Sequence, residues 1–190
     1  MNKEIKIFLQ NNFSNDYLSI LNLVQSIFND INIGLDKYYS KNQIKTLTHK
    51  IHPRIALYKA FTQKGYTKEQ TSEIVGKCIF EYGKKLNSMY KTIEKIPFMK
   101  CLFANIFKNQ MLKNDNWKSN IVKSSRNNIE VNIYKCLWYD TCVKNDCKNL
   151  CKYFCDVDNV IYNGLKKIIF KRTSTIYYGN EYCDFKYEIH

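Results

Sequence analysis

The sequence predicts an α+β fold, a helical N-terminal half packed on a small antiparallel sheet formed mainly by the C-terminal third. Three observations carry that expectation. Apolar residues recur at three- and four-residue spacing through the first half, a polar Asn/Ser/Lys-rich stretch interrupts the period at 113–128, and strict alternation begins at Ile129. With 190 residues the chain is long enough for one well-buried core and short for two. A single domain over 1–190 is expected, with 1–113 mostly helical and 129–190 a cysteine-rich strand, helix and hairpin half.

Each element has a local reason. Tyr17, Ile20, Leu21, Val24, Ile27, Phe28 and Ile31 form one helical stripe, with Ser14 or Asn15 available as N-cap. The signal over 41–50 is mixed. Pro53 suits the first turn of a second helix, because it has no N–H to lose there, and Gly65 suits its stop. Thr67 and Gln70 read as a capping box opening a third helix, with Val75, Cys78, Ile79 and Tyr82 on one face, ending about Glu94. Pro97 opens a fourth, carrying Phe98, Leu102, Phe103, Ile106 and Phe107. The segment from Lys113 to Asn128 reads as a loop. Beyond it Ile129, Val131 and Ile133 alternate with polar residues, so a strand runs to Cys136. A helix bearing Leu150, Phe154, Val157 and Ile161 follows. Two strands then close the chain, one from Ile168 to Tyr178 and one from Cys183 to Ile189, with Gly179-Asn180 as their turn.

Composition narrows the classes of function. Hydrophobic residues at 45% and aromatics at 15% are far from a disordered composition. No apolar run reaches the roughly 18–20 residues that cross a bilayer, and the N-terminus is too polar for a signal sequence. A cytoplasmic protein with no membrane partner is expected. Eight cysteines then belong to a reducing compartment, where clustered thiols point to catalysis or metal before disulfides. The net charge of +13 suits an acidic partner. Against nucleic acid stands the near absence of arginine, only Arg54, Arg126 and Arg172, since base-edge recognition favours its planar fork. A small-molecule substrate is the expected partner.

The chemistry concentrates near the C-terminus. Cys147, Cys151 and Cys155 are four residues apart, so one helix would put them on one face, with Cys136, Cys142 and Cys183 near by. The close C-x2-C pairs of a zinc site are absent. A nucleophilic thiolate needs a base or cation beside it. Asp158 lies three residues beyond Cys155, Asp184 follows Cys183, and His52 precedes the Pro53 helix as a candidate base. Any one of these cysteines also serves as an ordinary buried apolar filler.

The stretch from Val131 to Phe185 resembles the L-2-amino-thiazoline-4-carboxylic acid hydrolase family. The likeness rests on a strand ending in Cys136, the CDVD block Cys155–Asp158, and the terminal RTSTIYYGNEYCDF with its Gly179-x3-Cys183-Asp184-Phe185. HKIHPRIALYKAFTQKGYTKEQ is similar to the helical half of such proteins. The resemblance implies a bacterial enzyme hydrolysing a non-peptide carbon–nitrogen bond of a small cyclic amidine or related acyl compound, with no cofactor. In that reading Cys155 or Cys183 attacks the amidine carbon, Asp158 relays a proton, and His52 assists. Arg172, Asp184 and Cys136 bind substrate, Arg172 pairing with its carboxylate. The chain departs from the pattern at Leu137, where Pro is expected, and adds Cys142, Cys147 and Cys151. The alternative is a cysteine-rich sensor or carrier that binds a metal or ligand.

Overall fold

A computed structural model describes residues 3–96 and 114–190; the Pro97 helix expected from the sequence lies outside them. The N-terminal layer begins with α1 (Lys3–Asn12) and α2 (Tyr17–Ile31), whose predicted stripe buries Ile20, Leu21, Val24 and Ile27. Asp16, not Ser14 or Asn15, holds the N-cap position, and its side chain makes no capping bond. The mixed segment proves helical throughout. Ser40 and Gln43 build a capping box for α3 (Lys41–Thr46), which runs through a π turn (Leu47–Ile51) into α4 (His52–Gln63). Pro53 has no N–H to offer the carbonyl of His49, and the Arg54 guanidinium donates to that oxygen at 3.1 Å.

After Gly65, at φ 90°, the Thr67–Gln70 capping box forms as expected and α5 runs from Lys68 to Ile93. This long helix joins the two layers. Gly76 and Gly83 let α7 (Cys151–Tyr162) approach closely: a Cβ at Gly76 would stand 2.2 Å from the Tyr153 ring, and one at Gly83 2.6 Å from a Val157 methyl. At the far end the Asn87 amide donates to the carbonyls of Ile161 and Asn163, both at 2.8 Å. It thereby satisfies acceptors that a helix end leaves open.

The C-terminal layer is a four-stranded antiparallel sheet in the order β1-β2-β4-β3. Its strands are β1 (Trp117–Ser124), β2 (Asn128–Cys136), β3 (Ile168–Lys171) and β4 (Cys183–Ile189). The expected loop at 113–128 is corrected here, because half of it is β1. This strand lies on an edge, only alternate residues in its first part are half-buried, and its register slips twice against β2. Half-exposed edge strands tolerate polar residues and leave little periodic signal. The second correction concerns the closing hairpin. β3 ends at Lys171, Ile176–Tyr178 is a 3-10 turn, and Gly179 caps that turn in the left-handed region. Between β2 and β3 lie α6 (Leu137–Lys144), a short 3-10 turn at Lys148–Leu150, and α7.

Two apolar cores result. One fills the helical layer and takes in Cys142, Cys147 and Cys151. The other lies on the sheet, where Ile129, Val131 and Ile133 of β2 meet Cys183, Tyr187 and Ile189 of β4.

Candidate active site

A cavity of roughly 720 Å³ opens between the two layers, within the range of pockets that hold small ligands. Cys136, Cys155, Asp158, Arg172 and Cys183 all line it; His52 and Asp184 do not. β2 supplies Cys136 as its last residue, α7 supplies Cys155 and Asp158 one turn apart on its inner face, and β4 supplies Cys183 as its first residue.

Arg172 ties these pieces together. One guanidinium nitrogen donates to Asp158 Oδ2 at 3.2 Å and another to the carbonyl of Cys155 at 3.0 Å. The Phe170 and Phe185 rings lie 5.8 and 5.5 Å from its centre, so cation–π attraction reinforces the placement. Its side chain is only 5% exposed. Asp184 fixes Arg172 from outside the cavity. Its carboxylate accepts from the Thr173 amide at 2.8 Å, the Thr173 hydroxyl at 2.7 Å and the Ser174 amide at 2.5 Å. Burial opposes that charge, yet these donors outweigh it and hold the carboxyl below its ordinary range. Asp184 is therefore a positioning residue for the segment that carries Arg172.

Asp158 behaves in the opposite way. Burial raises its pKa to about 7, and the nearby Arg172 charge only partly offsets the rise. A carboxylate poised there exchanges protons near neutrality, as a general base must.

The thiols fall into two electrostatic settings. Cys155 hydrogen-bonds Cys151, which also pairs with Cys142, and Cys142 pairs in turn with Cys147; these contacts draw Cys151 down, push Cys155 up, and, through Cys147 first and Cys151 second, push Cys142 up. Cys151 is the thiol of this ladder whose ionisation the contacts favour, and it is 1% exposed and does not line the cavity. Cys136 is pushed up to about 12 by burial. Cys183 is also raised by burial, but the Ile176 amide donates to its sulfur at 3.3 Å and the Arg172 charge favours its thiolate. The predicted Cys147–Cys151–Cys155 helical face is corrected: Cys147 precedes α7 and is buried beside Cys142. Among the described residues no group of three or more His, Cys, Asp or Glu is arranged to hold a metal ion.

His52 is buried and does not line the cavity. Asn32 gives its amide N–H to the Phe28 carbonyl, so its oxygen faces His52 and Nδ1–H donates to it at 2.9 Å. Burial, with Lys144 and Lys59 near by, drives its pKa down to about 4, leaving the ring neutral.

Sequence reasoning passed over the helical wall of the cavity. Arg54, with its side chain 4% exposed, bonds Glu4 at 2.8 Å and lies 5.3 Å from the centre of the Tyr82 ring. Thr48, His49 and Lys50 of the π turn join it. The arginine was visible as one of three in the chain, but its partner lies 50 residues away on α1. Trp117 and Trp138 stack at 5.4 Å and also line the space.

The sequence profile of the L-2-amino-thiazoline-4-carboxylic acid hydrolases matches residues 45–187, most of the chain. The protein belongs to this family. The match takes in the whole cavity lining except Glu4 and Phe28. None of the curated proteins matches the chain. A solved H-NOX protein from S. oneidensis, in its Fe(II)NO ligation state, aligns over 100% of this chain and 99% of its own at 13% identity. Its TM-score of 0.35 is below the level at which a likeness bears on fold or function.

Proposed function

We propose that this hydrolase-family protein cleaves a carbon–nitrogen bond of a small cyclic amidine or related acyl compound in the interlayer cavity, using Cys183 as nucleophile and Asp158 as base. The observation that carries the reading is the convergence of Cys183, Arg172 and Asp158 on one cavity. Within it the pKa of Cys183 responds to both of the other two. Cys155 is the weaker candidate, because its thiol is engaged with Cys151 and its own carbonyl holds Arg172.

Burial keeps Cys183 protonated at rest, so its activation requires a base. Asp158 accepts the thiol proton as sulfur attacks the electrophilic carbon. The Ile176 amide and Arg172 stabilise the sulfur charge as it develops. The carbon–nitrogen bond then breaks, with protonated Asp158 returning the proton to the departing nitrogen. Water adds to the resulting thioester-like carbon, Asp158 takes its proton, and cleavage of the carbon–sulfur bond restores the thiol.

The test incubates 2-amino-thiazoline-4-carboxylate and a set of acyclic amidines with wild type, Cys155→Ala and Cys183→Ala, following products and protein adducts by mass spectrometry. The expected result is turnover that survives Cys155→Ala and is lost in Cys183→Ala, with a transient adduct on Cys183. Full turnover by a folded Cys183→Ala protein would overturn the mechanism.

A further inference from the structure

Arg172 already serves two acceptors of the protein. Its fork serves Asp158 and the Cys155 carbonyl, and two phenylalanine rings cover it. It is therefore poorly placed to receive a substrate carboxylate as well. The other cations of the cavity lie on the helical wall, where Lys50 and Arg54 line the same space. Arg54 is committed to Glu4 and the His49 carbonyl. Lys50 differs: among the described residues it forms no ion pair, and the charges that act on it are those of Lys45 and Arg54. Arg54 is balanced by Glu4, so Lys50, exposed in part to solvent, is the lining cation without a carboxylate partner among the described residues, and an anion placed beside it meets an attraction that water screens in part.

The cavity is also larger than a single small ring requires. Pockets of about 300–1,000 Å³ hold drug-sized ligands, and roughly 720 Å³ falls well inside that span. Between the charged groups the lining is aromatic and aliphatic, including the stacked Trp117–Trp138 pair, Phe154 and Ile161. These walls favour an apolar body.

We infer that Lys50 is a carboxylate anchor, and that the substrate is an acid whose carboxylate and scissile carbon–nitrogen centre are separated by an apolar or aromatic body. The inference rests on the hydrolase reading for the reacting end alone; the anchor is a binding property. Anchor and reacting groups come from different elements, Lys50 from the π turn before α4, Asp158 from α7, Arg172 from the segment after β3 and Cys183 from the start of β4. Substrate length is thus selected by the separation of these elements across the cavity.

Calorimetric titration with 4-phenylbutanoate and its uncharged amide, 4-phenylbutanamide, tests the anchor without turnover. On wild type the acid should bind at least about tenfold more tightly than the amide, the gain expected of one charge-assisted contact. Lys50→Gln should bring the acid down to the affinity of the amide, and Lys50→Arg should restore most of the difference. Equal affinities for acid and amide, an unchanged Lys50→Gln titration, or no binding of either probe to wild type would overturn the inference. Failure of the hydrolase reading shows separately, as full turnover by Cys183→Ala, and leaves these affinities where they are.

Discussion

Cys142 and Cys147 lie at 0% exposure within the helical layer, whereas Cys155 and Cys183 face the cavity between the layers. The side chain is the same and the surroundings are not. In the helical core sulfur meets mainly apolar neighbours and other thiols, where it behaves as a small hydrophobe with a weak donor. At Cys183 it meets a backbone amide, a guanidinium and a carboxylate. The difference teaches that a count of cysteines locates a site only roughly, while the dipoles and charges aimed at each sulfur decide which one reacts. Cys151 sits at the join, drawing hydrogen bonds from one thiol of each kind.

The contrast breaks most sharply at the nucleophile. Cys183→Ala should lower kcat/KM for an amidine substrate by about a thousandfold or more, while Cys142→Ala stays within about threefold; steady-state assays on both decide it. Asp158→Asn should cost on the order of a hundredfold or more. It should also remove the rise in wild-type activity through about pH 7, where this carboxyl titrates.

The same carboxyl shapes stability. Because its folded pKa lies above the ordinary carboxylate value, its contribution is complete below about pH 4 and is lost as pH rises through about 7. His52 runs the other way. Its pKa falls from 6.5 to about 4 on folding, so stability is lost as pH drops through that window. Urea melts of wild type should therefore show the two effects opposing between about pH 4 and 6.5. In Asp158→Asn the His52 effect remains, and stability should climb across that interval. A flat profile in the variant would refute the histidine assignment.

Smaller effects sharpen the structural side. Gly76→Ala drives a methyl into the Tyr153 ring and should destabilise by about 1–3 kcal/mol in a denaturant melt. Cys147→Ala removes one buried sulfur and should cost about 1 kcal/mol with turnover retained. Loss of turnover there at unchanged stability would erase the distinction between the two groups of thiols.

The helices and central strands were legible because local signals and tertiary burial agree in them. The stripe of α2 and the Thr67–Gln70 box of α5 are helical by period and by cap, and β2 alternates because one of its faces lies on the sheet core. β1 was missed because it is an edge strand whose register slips twice against β2 and whose side chains are exposed or half-exposed, so no regular alternation marks it. The gathering of Cys155, Asp158, Arg172 and Cys183 on one cavity was legible for a different reason. Cys155 and Asp158 are neighbours on one helix, and Arg172 and Cys183 flank a short chain reversal, so sequence proximity reports on space. Lys50 and Arg54 gave no such signal. Their place on the cavity depends on α1 and on an irregular turn that no periodic pattern encodes.

That turn sets the phase of everything after it. A π turn takes in one residue more than an α turn, and one residue corresponds to about 100° of helical rotation. Thr48, His49 and Lys50 lie in the turn and Arg54 just beyond it, and all four reach the cavity. Insertion or deletion length is therefore a variable of the pocket in its own right. Removing one residue from Leu47–Ile51 would re-index the wall against α5 while leaving each remaining side chain chemically intact. Substrate preference in such a chain can diverge through a single codon lost or gained, with the proposed nucleophile and base on β4 and α7 untouched.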